Sequence, residues 1–440
     1  MAAAPQQQAA EEYVRVVARV RPLSVKEEGG DEHVALRCME DGCSVEMLEG
    51  KDEKQAGRRF TFSRCLGPEV SQPEVFEESG IKDLLRSALK GYSATVFGYG
   101  QTGSGKTFTI VGDAAFRDAK TSGGAGLMRR STDYLFGKMG KIENVAYSVE
   151  CSYVEVYNEQ VRDLLAGTKG KESMRAVRWD VQKGFFVSGL TTIQCNNSHD
   201  VGKVFRKGFS RTRVGTHDMN DRSNRSHCML TLHIRGRQTN GTTREGKMTF
   251  VDLAGSERVK DSGSKGKMLR ESGQINRSLF TLGKVISTLV DRKKKNNFVP
   301  YRDSKLTQLL MDSVGGKSLC LVVACLSPSS KHVFESNRTL QFAVRACKVK
   351  NQPVLLLNQQ EKLIQELKKE VEKLRAQNRD LLDRLREIDI PETRHQSRGM
   401  GLPPSSAAAA GVTSSSLNVS PKRGQLHSEG DRKKGERKGE

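Results

Sequence analysis

The eight residues Gly100-Gln101-Thr102-Gly103-Ser104-Gly105-Lys106-Thr107 carry the most specific chemistry in this 440-residue chain. They match G-x-x-x-x-G-K-[ST], and an apolar strand-like run, Ala94 to Tyr99, leads into them. Glycines let successive N–H groups curl around phosphate oxygens, and the N-terminus of a following helix adds positive potential. Lys106 would place a point charge on the outer phosphates, and Thr107 would offer a hydroxyl to Mg²⁺. The ligand this pattern predicts is a nucleoside triphosphate.

Two further segments have the composition of a γ-phosphate sensor. One is Asn220-Asp221-Arg222-Ser223-Asn224-Arg225-Ser226-His227; the other, at the end of a strand-like run, is Asp252-Leu253-Ala254-Gly255-Ser256-Glu257-Arg258. A sensor needs groups that meet the γ-phosphate only when it is present. A strand-end Asp can reach Mg²⁺ through water, a Gly just after it lets a backbone N–H approach the phosphate, and an Arg and a Glu in the two loops can close over the site as an ion pair. The base-reading N-K-x-D of GTPases is absent, since the chain contains no Asn-Lys pair.

These loops need a sheet to hold them. Residues 11 to about 346 alternate strand-like and helical patterns, the signature of an α/β fold. Tyr13 to Val20, Ala94 to Tyr99, Val145 to Tyr157, Met229 to Arg235, Lys247 to Leu253 and Ser318 to Leu326 read as strands. Residues 347–358 contain Pro353 and read as an extended linker. Gln359 to Ile388 reads as one helix without Gly or Pro, and Ile364, Leu367, Val371, Leu374, Leu381, Leu385 and Ile388 fall at a and d of a heptad. Asn378 takes an a position, which specifies a parallel two-stranded register, and Glu370 at g faces Arg375 at e of a partner. The alternative is an amphipathic helix packed on its own domain; the 3.5-residue period favours the coiled coil. The segment 391–440 is Pro/Ser/Ala-rich and then Lys/Arg/Glu/Gly-rich, a composition that predicts disorder, as does the Gln-rich stretch 1–10.

Hydrophobic residues make up 36% of the chain, enough for one substantial core, and no apolar run is long enough to span a bilayer. The first ten residues lack the basic start and apolar core of a secretory signal. The net charge is +21; residues 391–440 hold 9 Lys/Arg and 5 Asp/Glu, which leaves +17 on the rest. Such a field suits an acidic polymer without choosing among them. Nine cysteines, an odd number without a C-x-x-C pair, read as reduced thiols of an intracellular protein.

Taken in order, the motifs resemble the kinesin superfamily over nearly all of residues 13–358. Besides the phosphate loop and the two sensor segments, Arg19-Val20-Arg21-Pro22 matches R-x-R-P. Ser152-Tyr153-Val154-Glu155-Val156-Tyr157-Asn158-Glu159, ending in Asp163-Leu164-Leu165, matches S-Y-x-E-I-Y-N-E…D-L-L. Asn276-Arg277-Ser278-Leu279 matches I-N-x-S-L, and Pro300-Tyr301-Arg302-Asp303-Ser304-Lys305-Leu306-Thr307 matches P-Y-R-D-S-K-L-T.

The resemblance implies a phosphate-loop motor domain over 11–346: a central mixed β-sheet flanked by helices on both faces, followed by a neck linker (347–358) and a short coiled-coil helix (359–390). Arg19 and Pro22 would border the adenine with Phe108 close by, and Gly100, Gln101, Thr102, Gly103, Ser104, Gly105, Lys106 and Thr107 would wrap the phosphates of ATP. Ser223 would contact the γ-phosphate and the attacking water, and Gly255 would sense that phosphate. Arg225 and Glu257 would form the closing bridge, Glu257 also relaying the water's proton. Mg²⁺ would be held by Thr107, Asn224 and, through water, Asp252. Chemistry of this type is mostly positioning and charge stabilisation.

Two departures from the family pattern are visible. Asn224 stands where N-x-x-S-S-R-S-H has its second Ser. An amide oxygen can ligate Mg²⁺, but it is longer and must orient toward a metal that demands near-ideal octahedral geometry. The substitution is either tolerated or it slows the ATPase. The Asn that usually latches the docked linker should fall near Leu356, where the chain reads Leu355-Leu356-Leu357-Asn358, so the last docking contacts should differ.

The resemblance also assigns a track. Lys293, Lys294 and Lys295 would form a basic loop against tubulin, with Arg302 and Lys305 on the same face. A second basic cluster, Arg206, Lys207, Arg211 and Arg213, has no assigned role. An N-terminal motor followed by this linker resembles plus-end-directed kinesins of the cytoplasmic microtubule cytoskeleton. The reading is therefore a microtubule-stimulated ATPase, with a parallel homodimer through 359–388; the alternative is a microtubule tether whose nucleotide cycle Asn224 impairs. A nucleic-acid ATPase has only the charge in its favour.

Overall fold

The structure, a computed structural model, describes residues 11–28, 32–48, 57–113, 123–167, 173–181, 183–213, 225–239, 241–257, 267–291, 298–357 and 359–387. Ser223, Asn224, Lys293, Lys294, Lys295 and the two terminal segments 1–10 and 391–440 lie outside them.

An eleven-stranded mixed sheet forms the centre. Its parallel half runs Thr243–Asp252, Ser93–Tyr99, Leu319–Leu326, Arg15–Val20 and Arg64–Leu66. Its antiparallel half continues from Thr243–Asp252 to His227–Gln238, Val145–Tyr157, Gln160–Asp163 and Met174–Arg175. The middle strands are β-branched and apolar because both sheet faces are covered. Leu319–Leu326, sequence LCLVVACL, is buried along nearly its whole length.

Alternation assigns each face. Val16, Ala18, Phe97, Val154, Val251 and Val322 pack with Leu282, Val285, Ile286 and Phe342 of the helices Lys267–Val290 and Val333–Ala346. Val17, Val96, Cys151, Leu230, Phe250 and Leu321 pack with Leu84, Leu85, Leu135 and Val204 of the helices Ile81–Lys90, Leu127–Met139 and Ser198–Arg213. The central mixed sheet with helices on both faces is thus as expected from the sequence. The six expected strands are present with shifted bounds: Met229 to Arg235 extends at both ends to His227–Gln238, and Tyr13 to Val20 is split into Glu12–Tyr13 and Arg15–Val20.

Parallel pairing positions the site. Asp252 lies opposite Gly98, so the end of one strand sits beside the start of the phosphate loop on the next. Ligands of such sheets bind at the carboxyl ends of the strands.

Residues 347–357 run along the sheet rather than away from it. Lys350–Asn351 pairs with Glu12–Tyr13, and Leu356–Leu357 pairs with Arg244–Glu245. Asn351 is buried; its Nδ2 donates to the carbonyls of Ser313 (2.8 Å) and Ser318 (2.6 Å), and its Oδ1 accepts from Gly315 N (2.8 Å). The final contacts at Leu356–Leu357 are backbone pairing, and the side-chain amide bonds come from Asn351 upstream.

The helix Gln359–Glu387 follows. Its heptad residues Leu367, Val371, Leu374, Leu381 and Leu385 are all exposed, and Glu370 and Asp380 pair within the helix with Lys373 and Arg384. No helix among the described residues is long and apolar enough to cross a membrane. All nine cysteines are free, with the sulfurs of Cys151 and Cys195 3.4 Å apart.

Candidate nucleotide site

The strand Ser93–Tyr99 ends at Gly100, and the helix Lys106–Ile110 begins at the end of the loop. Gly100 needs to be glycine on two counts: its φ is +151°, and a Cβ there would stand 2.2 Å from the Cys325 carbonyl. Lys106 is buried, and its ammonium donates to the Gln101 carbonyl at 2.7 Å. Burial lowers the Lys106 pKa, opposed by the charges of Asp252 and Glu257. A desolvated cation of this kind gains strongly from an anionic ligand.

The strand-end loop Asp252–Glu257 meets the phosphate loop along its length. Thr107 Oγ1 donates to Asp252 Oδ2 at 2.6 Å, while Asp252 Oδ1 is buried with no hydrogen-bond partner among the described residues. Burial pushes the Asp252 carboxyl up, opposed by the Thr107 bond and Lys106. One hydroxyl and one carboxylate with an unused oxygen form a donor set that fits Mg²⁺, which takes one or two carboxylates and keeps several waters. Further along, Ser256 N donates to the Gly100 carbonyl at 3.1 Å. Gly255 leaves no room for a side chain, since a Cβ would meet Thr102 Oγ1 and Glu257 Oε2, each at 2.3 Å.

The expected Arg225–Glu257 bridge is not formed in this structure. Both oxygens of Glu257 are taken by Thr102, which donates its N–H (2.8 Å) and its hydroxyl (2.5 Å). Arg225 is half-buried and makes no ion pair among the described residues. The Glu257 carboxylate is bonded to the phosphate loop in this structure and not to Arg225.

On the adenine side, Arg19 is buried and donates to Gln72 Oε1 (2.9 Å) and Thr109 Oγ1 (2.8 Å), with its guanidinium 5.3 Å from the centroid of the Phe108 ring. Arg19 thus stands behind Phe108, which with Pro22 is exposed. Arg21 was not singled out by the sequence, yet it bridges the two motifs. Its Nε donates to the Gly103 carbonyl (2.7 Å), and its two terminal nitrogens bind Glu27 at 2.7 and 2.6 Å. That fork holds the Glu27 carboxyl down at about 2.

His227 is a second residue whose role the sequence did not reveal. Ala254 N donates to its Nδ1 (2.9 Å), so the neutral ring carries its proton on Nε2, 2.7 Å from Ser278 Oγ. One imidazole thereby ties together three of the motifs read separately in the sequence. Burial, with a contribution from Lys106, pushes its pKa down to about 3.

Arg302 is exposed and Lys305 is half-buried at the start of the helix Lys305–Leu309. Glu159 caps that helix: Ser304 Oγ donates to Oε1 (2.7 Å) and Lys305 N to Oε2 (2.6 Å). Glu159 adopts φ +57°, a conformation non-glycine residues avoid unless the surroundings impose it. In the unassigned basic cluster, Arg211 donates to the Leu164 carbonyl at 3.0 Å, a structural bond.

Fold and site together define the class: a phosphate-loop nucleoside triphosphatase with a strand-end loop, Asp252–Glu257, folded onto its phosphate cradle. The family model described as "Kinesin motor domain" matches residues 19–349. The chain is 37% identical over 367 residues to mouse chromosome-associated kinesin KIF4, covering 82% of this chain and 29% of that protein. It is 38% identical over 379 residues to the mouse kinesin-like protein KIF12, covering 84% and 57% respectively. A solved structure of a fast kinesin is similar with a TM-score of 0.70 and 35% identity, over 78% of this chain and 93% of that one. The chain belongs to the kinesin family, and it spans 29% and 57% of the length of these two curated relatives.

Proposed function

We propose that this chain is a microtubule-stimulated ATPase that converts ATP hydrolysis into plus-end-directed movement along microtubules. The junction of Thr107 with Asp252 and of Thr102 with Glu257 carries this reading, because it couples the phosphate cradle at two points to the strand-end loop Asp252–Glu257, which is able to respond to the γ-phosphate. Thr107, Asn224 and Asp252 would hold Mg²⁺, which when bound neutralises phosphate charge. Lys106 binds the β- and γ-phosphates, and Phe108 and Pro22 offer the adenine a surface backed by Arg19. Ser223 orients the attacking water and Gly255 N–H meets the γ-phosphate. Glu257, once it leaves Thr102 for Arg225, takes the water's proton toward solvent.

Arg302 and Lys305, with Lys293 to Lys295, form the track face. The pairing of residues 350–357 with both the N-terminal strand and the sheet supports a docking linker that transmits the cycle. The exposed heptad leucines of Gln359–Glu387 support a parallel partner helix. Microtubule-titrated ATPase and filament gliding test the reading. Stimulated turnover, lost in Lys106→Ala, together with directed gliding is expected; microtubule binding without stimulation would favour the tether.

A further inference from the structure

The sheet face that packs beneath Lys267–Val290 changes character along its strands. Near the nucleotide end its inward positions are apolar: Phe97, Val154 and Val251. Further back on the same strands and face stand Thr95, Ser152, Thr231 and Thr249, with Lys247 and His233. These polar side chains form the floor of a cavity of about 370 Å³, within the size range of small-molecule sites. Its other walls are mixed: Phe185, Phe186, Leu309 and Met311 are apolar, while Lys183 and the Asp312 carboxylate bring one charge of each sign.

The floor is rich in donors. Ser313 Oγ donates to Thr95 Oγ1 (2.8 Å), and the hydroxyls of Thr231 and Thr249 pair at 3.2 Å. Each such pair uses one hydroxyl proton and leaves the other without a protein acceptor among the described residues. Lys247 is half-buried and makes no ion pair or hydrogen bond through its ammonium among the described residues; loss of solvation lowers its pKa, opposed through space by Asp312, which lines the same cavity. His233 is bonded to Ser152 Oγ (3.1 Å) and pushed by burial down to about 4, so it is neutral and competes for no anion. A half-buried ammonium and two spare hydroxyl protons on one wall, a second cation in Lys183 to offset Asp312, and aromatic and aliphatic side chains opposite match a ligand with an anionic head and an apolar body.

We propose that this cavity is a binding site for a small amphipathic monoanion, an aromatic carboxylate or sulfonate, seated with its charge on Lys247 and its apolar body against Phe185 and Leu309. The site is separate from the phosphate loop and uses none of the residues assigned to nucleotide or track.

The test uses the full chain with its nucleotide site saturated by ADP. Two fluorescent probes are titrated, anilinonaphthalene sulfonate and its uncharged parent N-phenylnaphthylamine. The sulfonate should saturate at one per chain and bind tighter than the uncharged probe. Lys247→Met should weaken the sulfonate about tenfold and leave the uncharged probe unchanged. The near-isosteric Thr249→Val, which removes one hydroxyl donor without altering charge, should weaken the sulfonate about threefold; it decides the matter alone if Lys247→Met does not fold. Non-saturable surface binding of the dye, equal affinity for the two probes, or a sulfonate affinity untouched by the variant would overturn the proposal.

Discussion

Glu257 and Thr102, 155 positions apart, are joined by two hydrogen bonds: the Thr102 N–H at 2.8 Å and its hydroxyl at 2.5 Å, both accepted by the Glu257 carboxylate. The same carboxylate is the group expected to pair with Arg225 over bound ATP. The Thr102 bonds stabilise the arrangement without the Arg225 bridge, so Thr102 competes with the closed state. Thr102→Val keeps the side-chain shape and one backbone bond but loses the hydroxyl donor. Basal ATP turnover should rise about three- to tenfold, near the low end for a hydrogen bond to a charged group. Glu257→Ala should bind ATP normally and turn over about a hundredfold or more slower, the scale of a lost proton acceptor. Single-turnover kinetics beside nucleotide binding measures both, and a Thr102→Val enzyme with unaltered basal rate would contradict the competition.

Asn224 stands where the family has Ser, and it brings an extra carbon and an NH₂ that cannot ligate a metal. Closing the loop over Mg²⁺·ATP should be less favourable by ~1–2 kcal/mol, the scale of one hydrogen bond to a charged group. That is roughly five- to thirtyfold in the closed population. Asn224→Ser should raise microtubule-stimulated kcat and lower the Mg²⁺ needed for half-maximal rate, leaving nucleotide-free track affinity unchanged. An identical rate and Mg²⁺ dependence would make Asn224 neutral and remove the sequence's specific support for a tether.

Arg302→Ala with Lys305→Ala should raise the microtubule concentration for half-maximal ATPase and leave basal turnover nearly unchanged. Neutralising Lys293 to Lys295 should have a smaller, more salt-sensitive effect, as exposed charges steer association. Glu159→Ala removes the cap from the helix that begins at Lys305, so it should shift track affinity in the same direction and lower stability by about 1–2 kcal/mol. Steady-state ATPase and thermal melts separate the two effects; an equal drop in basal rate for the Arg302/Lys305 pair would count against this face.

Acid should loosen the motif junction at His227. Its folded pKa, about 3, lies below the unfolded value near 6.5, so the unfolded state binds the proton first. The corresponding stability is present above pH ~6.5 and is lost progressively as pH falls toward 3. At pH ~5.5 the loss from this residue is about 1.4 kcal/mol. Unfolding in denaturant from pH 7.5 to 5 should show this slope, and His227→Asn, although less stable at neutral pH, should show a shallower one. Parallel pH profiles for the two proteins would rule out His227 as the source.

The helix Gln359–Glu387 offers its heptad leucines to solvent in this chain. About four heptads with one polar a position should give a concentration-dependent monomer–dimer equilibrium in sedimentation, tightened and made less specific by Asn378→Leu. A strict monomer at tens of micromolar, an order of magnitude set by the marginal helix length, would exclude the partner helix.

Much of this architecture is local and was therefore legible in the order of residues. The phosphate loop depends on glycines within eight positions, and strand alternation fixes which of Val16 and Val17 or Val322 and Val323 meets which layer of helices. Motif by motif, the chain also resembled the family that the comparisons later matched over residues 19–349. What the sequence could not express were contacts between side chains distant along the chain. Thr107 with Asp252, Thr102 with Glu257 in place of Arg225, and Ser304 with Glu159 are each separated by 145 or more positions. Hydrogen-bond partners are selected by angles and by tenths of an ångström, which exist only after the strands are in register. The polar cavity floor has the same origin: Thr95, Thr231, Thr249 and Lys247 lie on three strands and read singly as ordinary strand residues. Only the sheet, by placing them on one face with space above, makes them a site.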